Sequence, residues 1–554
     1  MGAKRWISAL MLLLLLQSFL PAGALAAENA SPSPVRVQVY LAEGIRENVP
    51  YSRSGKTYDR DWVKPEIDGS FGVLYAHSDT FNTFMFPIKA QDGAARVYLR
   101  FPGADGLTTA YLNGKKLSAD APVTVNLTDV SDLRLANGKK CMGARLMFTT
   151  LPVISLTAKG DILRAGTAGS ILVVDPDYAG HGWQEPQFQC DAQVSRRGQS
   201  AAQFSEKHPF NVSLMKDGEK WDHRLLGMRK DSDWLLDSAY NDALRMRNRV
   251  LMEIWDEIYT LPWNESLSGA NQGQFVELIL NGRYKGIFVL GEKQDRKQLG
   301  LKKTGSGPEG LLLKTGKALT KDVSVAGFFS MGDELPGSRV VTEWNNVRIK
   351  YPKEENVTAD TWKDFYELVK LTVEGSDEEF AEKIGDYIDL KNFALYYVFI
   401  NAMDVSDNMR KNMVFARYSP LDRLVVVPWD MDASLGRYYS SKKSKEKGWD
   451  TNPLFERLIA LDVGGFNKRM SGIWMTYKDT SLSVDHVMDK INGYYAMLKA
   501  SGALEREKAL YPSFTSYLGS EFSYTLNFEK EIDYVRRFME KRRVWSDGHF
   551  KDPY

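Results

Sequence analysis

Cysteine and histidine are scarce in this chain of 554 residues, which has two of the first and six of the second. It contains no HExxH and no CxxC, so the ligand sets of the common zinc proteases and zinc fingers are absent. Excess charge is missing too. Lys and Arg number 72 against 71 Asp and Glu, a net charge of +1. That balance argues against a nucleic-acid binder and against an acidic solvating tail. No GxGxxG loop occurs, and Gly305-Ser306-Gly307-Pro308-Glu309-Gly310 is not a P-loop, because Leu311 stands where the P-loop lysine belongs. It reads as a plain turn. There is no internal repeat and no low-complexity tract. No segment reaches the ~20 apolar residues that span a bilayer, so stable membrane insertion is not expected.

What is present is globular. Hydrophobic residues make up 43% and charged residues 26%, both near the average for folded domains. At roughly 150 residues per domain the length suggests three or four domains, or two with one large. Residues 1–26 read as a signal peptide: Lys4 and Arg5, an apolar run from Ala9 to Leu16, breakers at Pro21 and Gly23, and the small-x-small site Ala24-Leu25-Ala26. Ala27 is the expected mature start, and the chain is expected to be secreted. An oxidising compartment permits a Cys141–Cys190 disulfide, with two buried free thiols as the alternative. The sequence leaves both open.

Residues 27–34 form a linker ending in Ser31-Pro32-Ser33-Pro34. Residues 35–150 then alternate in short strands. Val35, Val37, Val39 and Leu41 form one, Val97, Leu99 and Phe101 another, and Val123, Val125 and Leu127 a third. Tyr111-Leu112 runs into the hairpin signal Asn113-Gly114. A small all-β, immunoglobulin-like sandwich is expected there. It holds no catalytic constellation and reads as an accessory module, a surface or glycan tether. From residue 151 to 554 the texture is mixed and predicts an α+β domain with a helical C-terminal part. Helices are predicted over 237–258, 358–373, 377–399, 484–500 and 529–544. A hairpin is predicted at 275–290 around Asn281-Gly282.

The chemistry concentrates in residues 400–436, INAMDVSDNMRKNMVFARYSPLDRLVVVPWDMDASLG. A helix ends near Asn401, and Asp407 and Asn412 follow. Met413–Arg417 is a predicted strand, residues 419–422 a turn, and 424–427 a second strand running into Trp429-Asp430-Met431-Asp432. An antiparallel hairpin brings its entry and exit together, so Asn412 and Asp430 converge with Asp407 close by. Hard oxygen ligands at one hairpin end suit Mg²⁺, with Mn²⁺ an alternative. A further carboxylate can take a proton from an incoming hydroxyl. Asp and Asn are also ordinary turn and cap residues, and hairpin ends collect them. The order of parts is nevertheless that of a protein kinase: a catalytic-loop Asp, an Asn five residues later, a hairpin, and a metal-binding Asp. Upstream, Arg197, Ser200 and Lys207 are placed to face phosphate, and Glu292 to pair with a lysine or contact nucleotide.

These residues, in this order, resemble the CotH kinase family of atypical secreted kinases over about 151–544. The markers are Leu151-Pro152-Val153-Ile154; Arg197-Gly198-x-Ser200 followed by Lys207; Leu226-Gly227-Met228; Asp233-Trp234; Asp242 with Arg247-Asn248; Leu280-Asn281-Gly282-x-Tyr284-x-Gly286 through Glu292; Asp407 and Asn412; Trp429-Asp430-x-Asp432; and Arg542-Arg543. Two departures touch the lysine. Glu206 stands where the family often shows a second lysine, and an extra residue lies between Lys207 and Pro209.

The resemblance implies an atypical protein-kinase-like fold that uses ATP and Mg²⁺ to phosphorylate Ser or Thr of exported proteins, at a cell surface or in a spore coat. Asp407 would be the catalytic base. Asn412 and Asp430 would hold the metal, with Asp432 assisting, and Lys207, Arg197, Ser200 and Glu292 would bind nucleotide. Two alternatives stand beside it: a non-catalytic kinase-like scaffold, and a kinase-like fold that transfers AMP or glutamate. The basic run Lys442-Lys443-Ser444-Lys445-Glu446-Lys447 lies where kinases keep an activation loop. It reads as a solvated surface loop, with recruitment of acidic substrates as the alternative.

Overall fold

The computed structural model describes residues 35–41, 51–53, 56–59, 63–67, 70–71, 73–78, 81–88, 94–100, 109–118, 123–137, 140–198, 205–303, 305, 310–315, 342–344, 346–409, 411–438, 441–515 and 523–550. The predicted leader and linker (1–34) and Ser200 lie outside the described residues. So does the side chain of Cys141, whereas Cys190 is a half-buried free thiol whose pKa burial pushes up.

Before residue 150 every described element is a strand, in two sheets. In the first, Val35–Leu41 lies between a parallel partner, Ala94–Arg100, and an antiparallel one, Val63–Ile67. In the second, Lys140–Thr149 pairs antiparallel with Ser131–Asn137 and parallel with Phe81–Pro87. The Asn113-Gly114 turn has φ of 50° and 80°, which the Asn-Gly pair tolerates well. These strands rest on the remainder through Met85 and Met147, which pack with Val153, Val174 and Ile279.

The next unit is a closed sheet. Gln187–Arg196, Thr167–Val174, Val153–Ala158, Gly273–Leu280, Arg283–Glu292, Asp233–Asp237 and Phe210–Lys216 follow one another, and the last pairs back with the first. Alternation explains the inside. In Phe210–Lys216, Phe210, Val212 and Leu214 are buried and the residues between them are not. They meet Leu156, Val194, Trp234 and Phe288 in one apolar cluster. The predicted hairpin is there, joined at Asn281 (φ 48°) and Gly282 (φ 69°).

The remaining chain is helical around a five-stranded antiparallel sheet ordered Glu343–Trp344, Val347–Tyr351, Leu311–Thr315, Met413–Arg417, Val425–Pro428. The helix Leu390–Ala402 runs through the main core, with all of Asn392 to Ala402 buried. It is apolar on every side, which only a wholly buried helix tolerates. Each of its large side chains contributes about 2 kcal/mol by burial. Helix and sheet in comparable amounts fit the α+β class. No helix among the described residues is long and apolar enough to cross a membrane.

Two predicted helices differ from the observed ones. The span 237–258 is helical only over Arg247–Ile258. Asp237 closes a strand instead, and Asp242 supplies the cap that Met246 lacks by accepting from the Arg247 N–H at 2.8 Å. The span 377–399 is two helices, Asp377–Tyr387 and Leu390–Ala402. Asp389 breaks it, its carboxylate accepting from the Lys391 and Asn392 N–H groups.

Candidate active site

The strands Met413–Arg417 and Val425–Pro428 pair with Met413 opposite Pro428. Asn412 and Trp429-Asp430 therefore flank the same hairpin end. Asn412 has φ 61° and Asp430 φ 59°, the left-handed region in which Asn and Asp are enriched among side-chain-bearing residues. Backbone N–H groups tie the loop carrying Asp407 to the loop carrying Asp430 and Asp432. The Ser406 N–H donates to the Ala433 carbonyl (3.0 Å), the Leu435 N–H to the Met403 carbonyl (2.9 Å), and the Trp429 N–H to Asn408 Oδ1 (3.3 Å). Below them the Tyr396 hydroxyl donates to the Asn408 carbonyl at 2.6 Å. From the C-terminal helix Phe528–Phe550, Arg542 donates to the carbonyls of Asn401 and Gly448, both at 2.9 Å.

Charge is concentrated here. Asp407 pairs with Lys411 at 2.7 Å. Burial alone would lower the Lys411 ammonium, but Asp407, Asp430 and Asp432 outweigh it and raise its pKa. Burial lifts the Asp432 carboxyl well above the carboxylate range, and Asp430, Asp237, Asp407 and Asp242 push it further. Asp237 is raised mainly by burial, with Arg197 opposing and Asp430 adding. Arg197, Asp237, Asp242, Asp430 and Asp432 are among the residues lining a cleft of about 600 Å³, solvent at its mouth included, whereas Asp407, Lys411 and Asn412 are not among its lining residues. Among the described residues no three His, Cys, Asp or Glu side chains come together closely enough to cage an ion by themselves.

Of the residues expected to bind nucleotide, Arg197 is in the cleft, its guanidinium 5.7 Å from the Trp429 ring centre. Lys207 and Glu292 are not among its lining residues. Lys207 is buried beside the C-terminal helix Ala503–Leu510, where its Nζ donates to Glu507 Oε1 (2.8 Å), Glu507 Oε2 (3.0 Å) and the Ile287 carbonyl (2.5 Å). Burial lowers its pKa to about 8 against the pull of Glu507. Arg245 shares the same carboxylate at 2.8 Å. Glu292 is buried as well, and its partner is an arginine: Oε1 accepts from the Arg229 N–H at 3.1 Å.

Sequence reasoning missed Asp237 by placing it inside a helix, and missed Lys314 altogether. Lys314 lies on Leu311–Thr315 with its Nζ 4.2 Å from the Trp429 ring centre. Burial pulls its ammonium down to about 7, with Asp430 opposing. The signal available for it was a lone charge closing the apolar run Leu311-Leu312-Leu313. The basic run is tied down by its neighbours: Ser444 donates to Asp404, Glu446 pairs with Lys541 at 2.9 Å, and Lys443 lies over the Tyr534 ring.

Comparison with known proteins adds two findings. The family described as CotH kinase protein matches residues 194–546. The inner spore coat protein H of Bacillus subtilis (strain 168) is 18% identical over 370 residues, which cover 66% of this chain and 88% of that protein.

Proposed function

The chain belongs to the CotH kinase family, and on that premise we propose that it is an exported, atypical protein kinase moving the γ-phosphate of ATP to Ser or Thr hydroxyls of exported proteins. The observation that carries this reading is the hydrogen-bonded union of the Asp407 loop with the Asp430–Asp432 loop beside an open cleft. A fold with kinase-like organisation, the closed sheet on one side of the cleft and the helical body on the other, is part of the proposal.

In this mechanism Asp407 accepts the proton of the incoming hydroxyl. Lys411, paired with it, holds the carboxylate in place and offers positive charge to the transferring group. Asn412 and Asp430, assisted by Asp432, would hold Mg²⁺ or Mn²⁺. The donor set suits such an ion: hard oxygens, crowded like charge, and no need of a full protein cage when phosphates and water complete the shell. When bound, the ion supplies neutralisation of phosphate charge. Arg197, which lines the cleft beside Trp429, would offer positive charge to the phosphates. The signal peptide expected from the sequence and the spore-coat relative support a site of action outside the cytoplasm, with the N-terminal all-β unit as a surface tether.

Incubating the protein with γ-labelled ATP, Mg²⁺ and casein tests this. Label should transfer, and Asp407→Ala should lower the rate roughly 100- to 10,000-fold, the worth of a general base. Asp430→Ala should abolish transfer without unfolding the protein. Full transfer by either folded variant would contradict the assignment.

A further inference from the structure

Lys314 faces the Trp429 ring, which lines the cleft, but is itself half-buried and is not a lining residue. Its strand is central in the five-stranded sheet, between Val347–Tyr351 and Met413–Arg417. Its register partner is Val414, two residues beyond Asn412. The neighbours Leu311, Leu312, Leu313 and Thr315 are buried, so the strand has no freedom to turn this side chain elsewhere. The ammonium has no hydrogen bond and no ion pair among the described residues. What it has is the face of Trp429 at 4.2 Å, an indole that Arg197 also approaches at 5.7 Å. Asp430 attracts it, while Arg197, Lys350 and Lys411 repel it. With no hydrogen bond or ion pair of its own among the described residues, this half-buried ammonium is available to an incoming anion. Lys207 is the opposite case: its three N–H groups meet three acceptors, and its side chain has no exposed surface.

We propose that Lys314, acting with Arg197 beside the Trp429 indole, is the lysine that binds the nucleotide's phosphates, and that Lys207 is a structural lysine. The proposal rests on the nucleotide reading of the cleft and extends it to a residue outside the expected set.

Equilibrium binding of Mg-ATP and of adenosine to the full chain separates the two claims. Lys314→Met keeps the stem against Trp429 but removes the charge. It should weaken Mg-ATP roughly 10- to 100-fold, the range for losing a charge-assisted hydrogen bond, and leave adenosine unchanged. Lys314→Arg should recover most of the loss. In the unaltered protein, Mg-ATP should shield Lys314 from acetylation by acetic anhydride, read by peptide mass spectrometry, which does not depend on any variant folding. Wild-type ATP affinity in Lys314→Met, or acetylation of Lys314 undiminished by saturating ATP, would overturn the role of Lys314 and leave the nucleotide reading standing. No ATP binding by the unaltered protein would overturn both.

Discussion

Glu531 lies between two arginines, 2.5 Å from Arg247 Nη2 and 2.5 Å from Arg437 Nη2. Burial would raise its carboxyl, but Arg247 and Arg437 outweigh that and hold it at about 2. A depressed acid contributes stability that is full above its unfolded pKa, near 4.5, and is lost as pH falls toward about 2. The shift corresponds to about 3 kcal/mol at neutral pH. Chemical denaturation of Glu531→Gln should therefore show a loss of about 3 kcal/mol at pH 7, shrinking below pH 4.5. A deficit that stays constant from pH 7 to pH 3 would contradict this. Residue-level legibility was uneven. That Asn412 and Asp430 flank one hairpin end, with Asp407 on a loop bonded to it, could be read because a hairpin fixes which ends meet, a property of local sequence. Lys207 was expected at the phosphates and Lys314 was missed, because Glu507 lies 300 residues from the first and Trp429 more than a hundred from the second. Only the folded chain decides which lysine is neutralised.

The helix Arg247–Ile258 shows what an element adds. Its start is set by Asp242, and its second residue, Asn248, reaches out to the site. Asn248 Oδ1 accepts from the Met431 N–H at 3.0 Å, and the same side chain favours the charged form of Asp237, opposing the effect of burial there. One side chain thus holds the Asp430–Asp432 loop against the closed sheet. Asn248→Ala should lower kcat roughly 10- to 100-fold by freeing that loop, with a smaller change in the KM for ATP. An unchanged kcat in steady-state assays would show the link to be dispensable. Strands and the hairpin turns could be read from alternation and from Asn-Gly pairs, since those signals are local. The breaks at 237–246 and at 388–389 were hidden because apolar residues continue through both. Asp242 and Asp389 mark the true starts, but an aspartate in an apolar run looks the same whether it caps a helix or faces solvent.

At the scale of the molecule, Arg506 joins three parts. It grips Glu277 of the closed sheet through Nε (2.8 Å) and Nη2 (2.9 Å), and donates from Nη1 to the Leu127 carbonyl of the N-terminal unit at 2.5 Å. Gly502 permits that approach, since a Cβ there would stand 2.2 Å from the same carbonyl oxygen. The neighbouring residue, Glu507, holds Lys207, so the docking of the N-terminal strands and the interior of the closed sheet share one helix. None of this long-range assembly has a local signature, which is why the sequence separated the N-terminal strands from the mixed α/β remainder without showing how the two meet. The central claim concerns the group that this assembly transfers. Its most direct test is the intact mass of casein, and of the protein itself, after incubation with ATP, glutamate and Mg²⁺, beside the Asp407→Ala variant. The account predicts added mass in steps of one phosphoryl group on Ser or Thr, absent with the variant. Addition of AMP or of glutamate, or no addition to either protein, would contradict it.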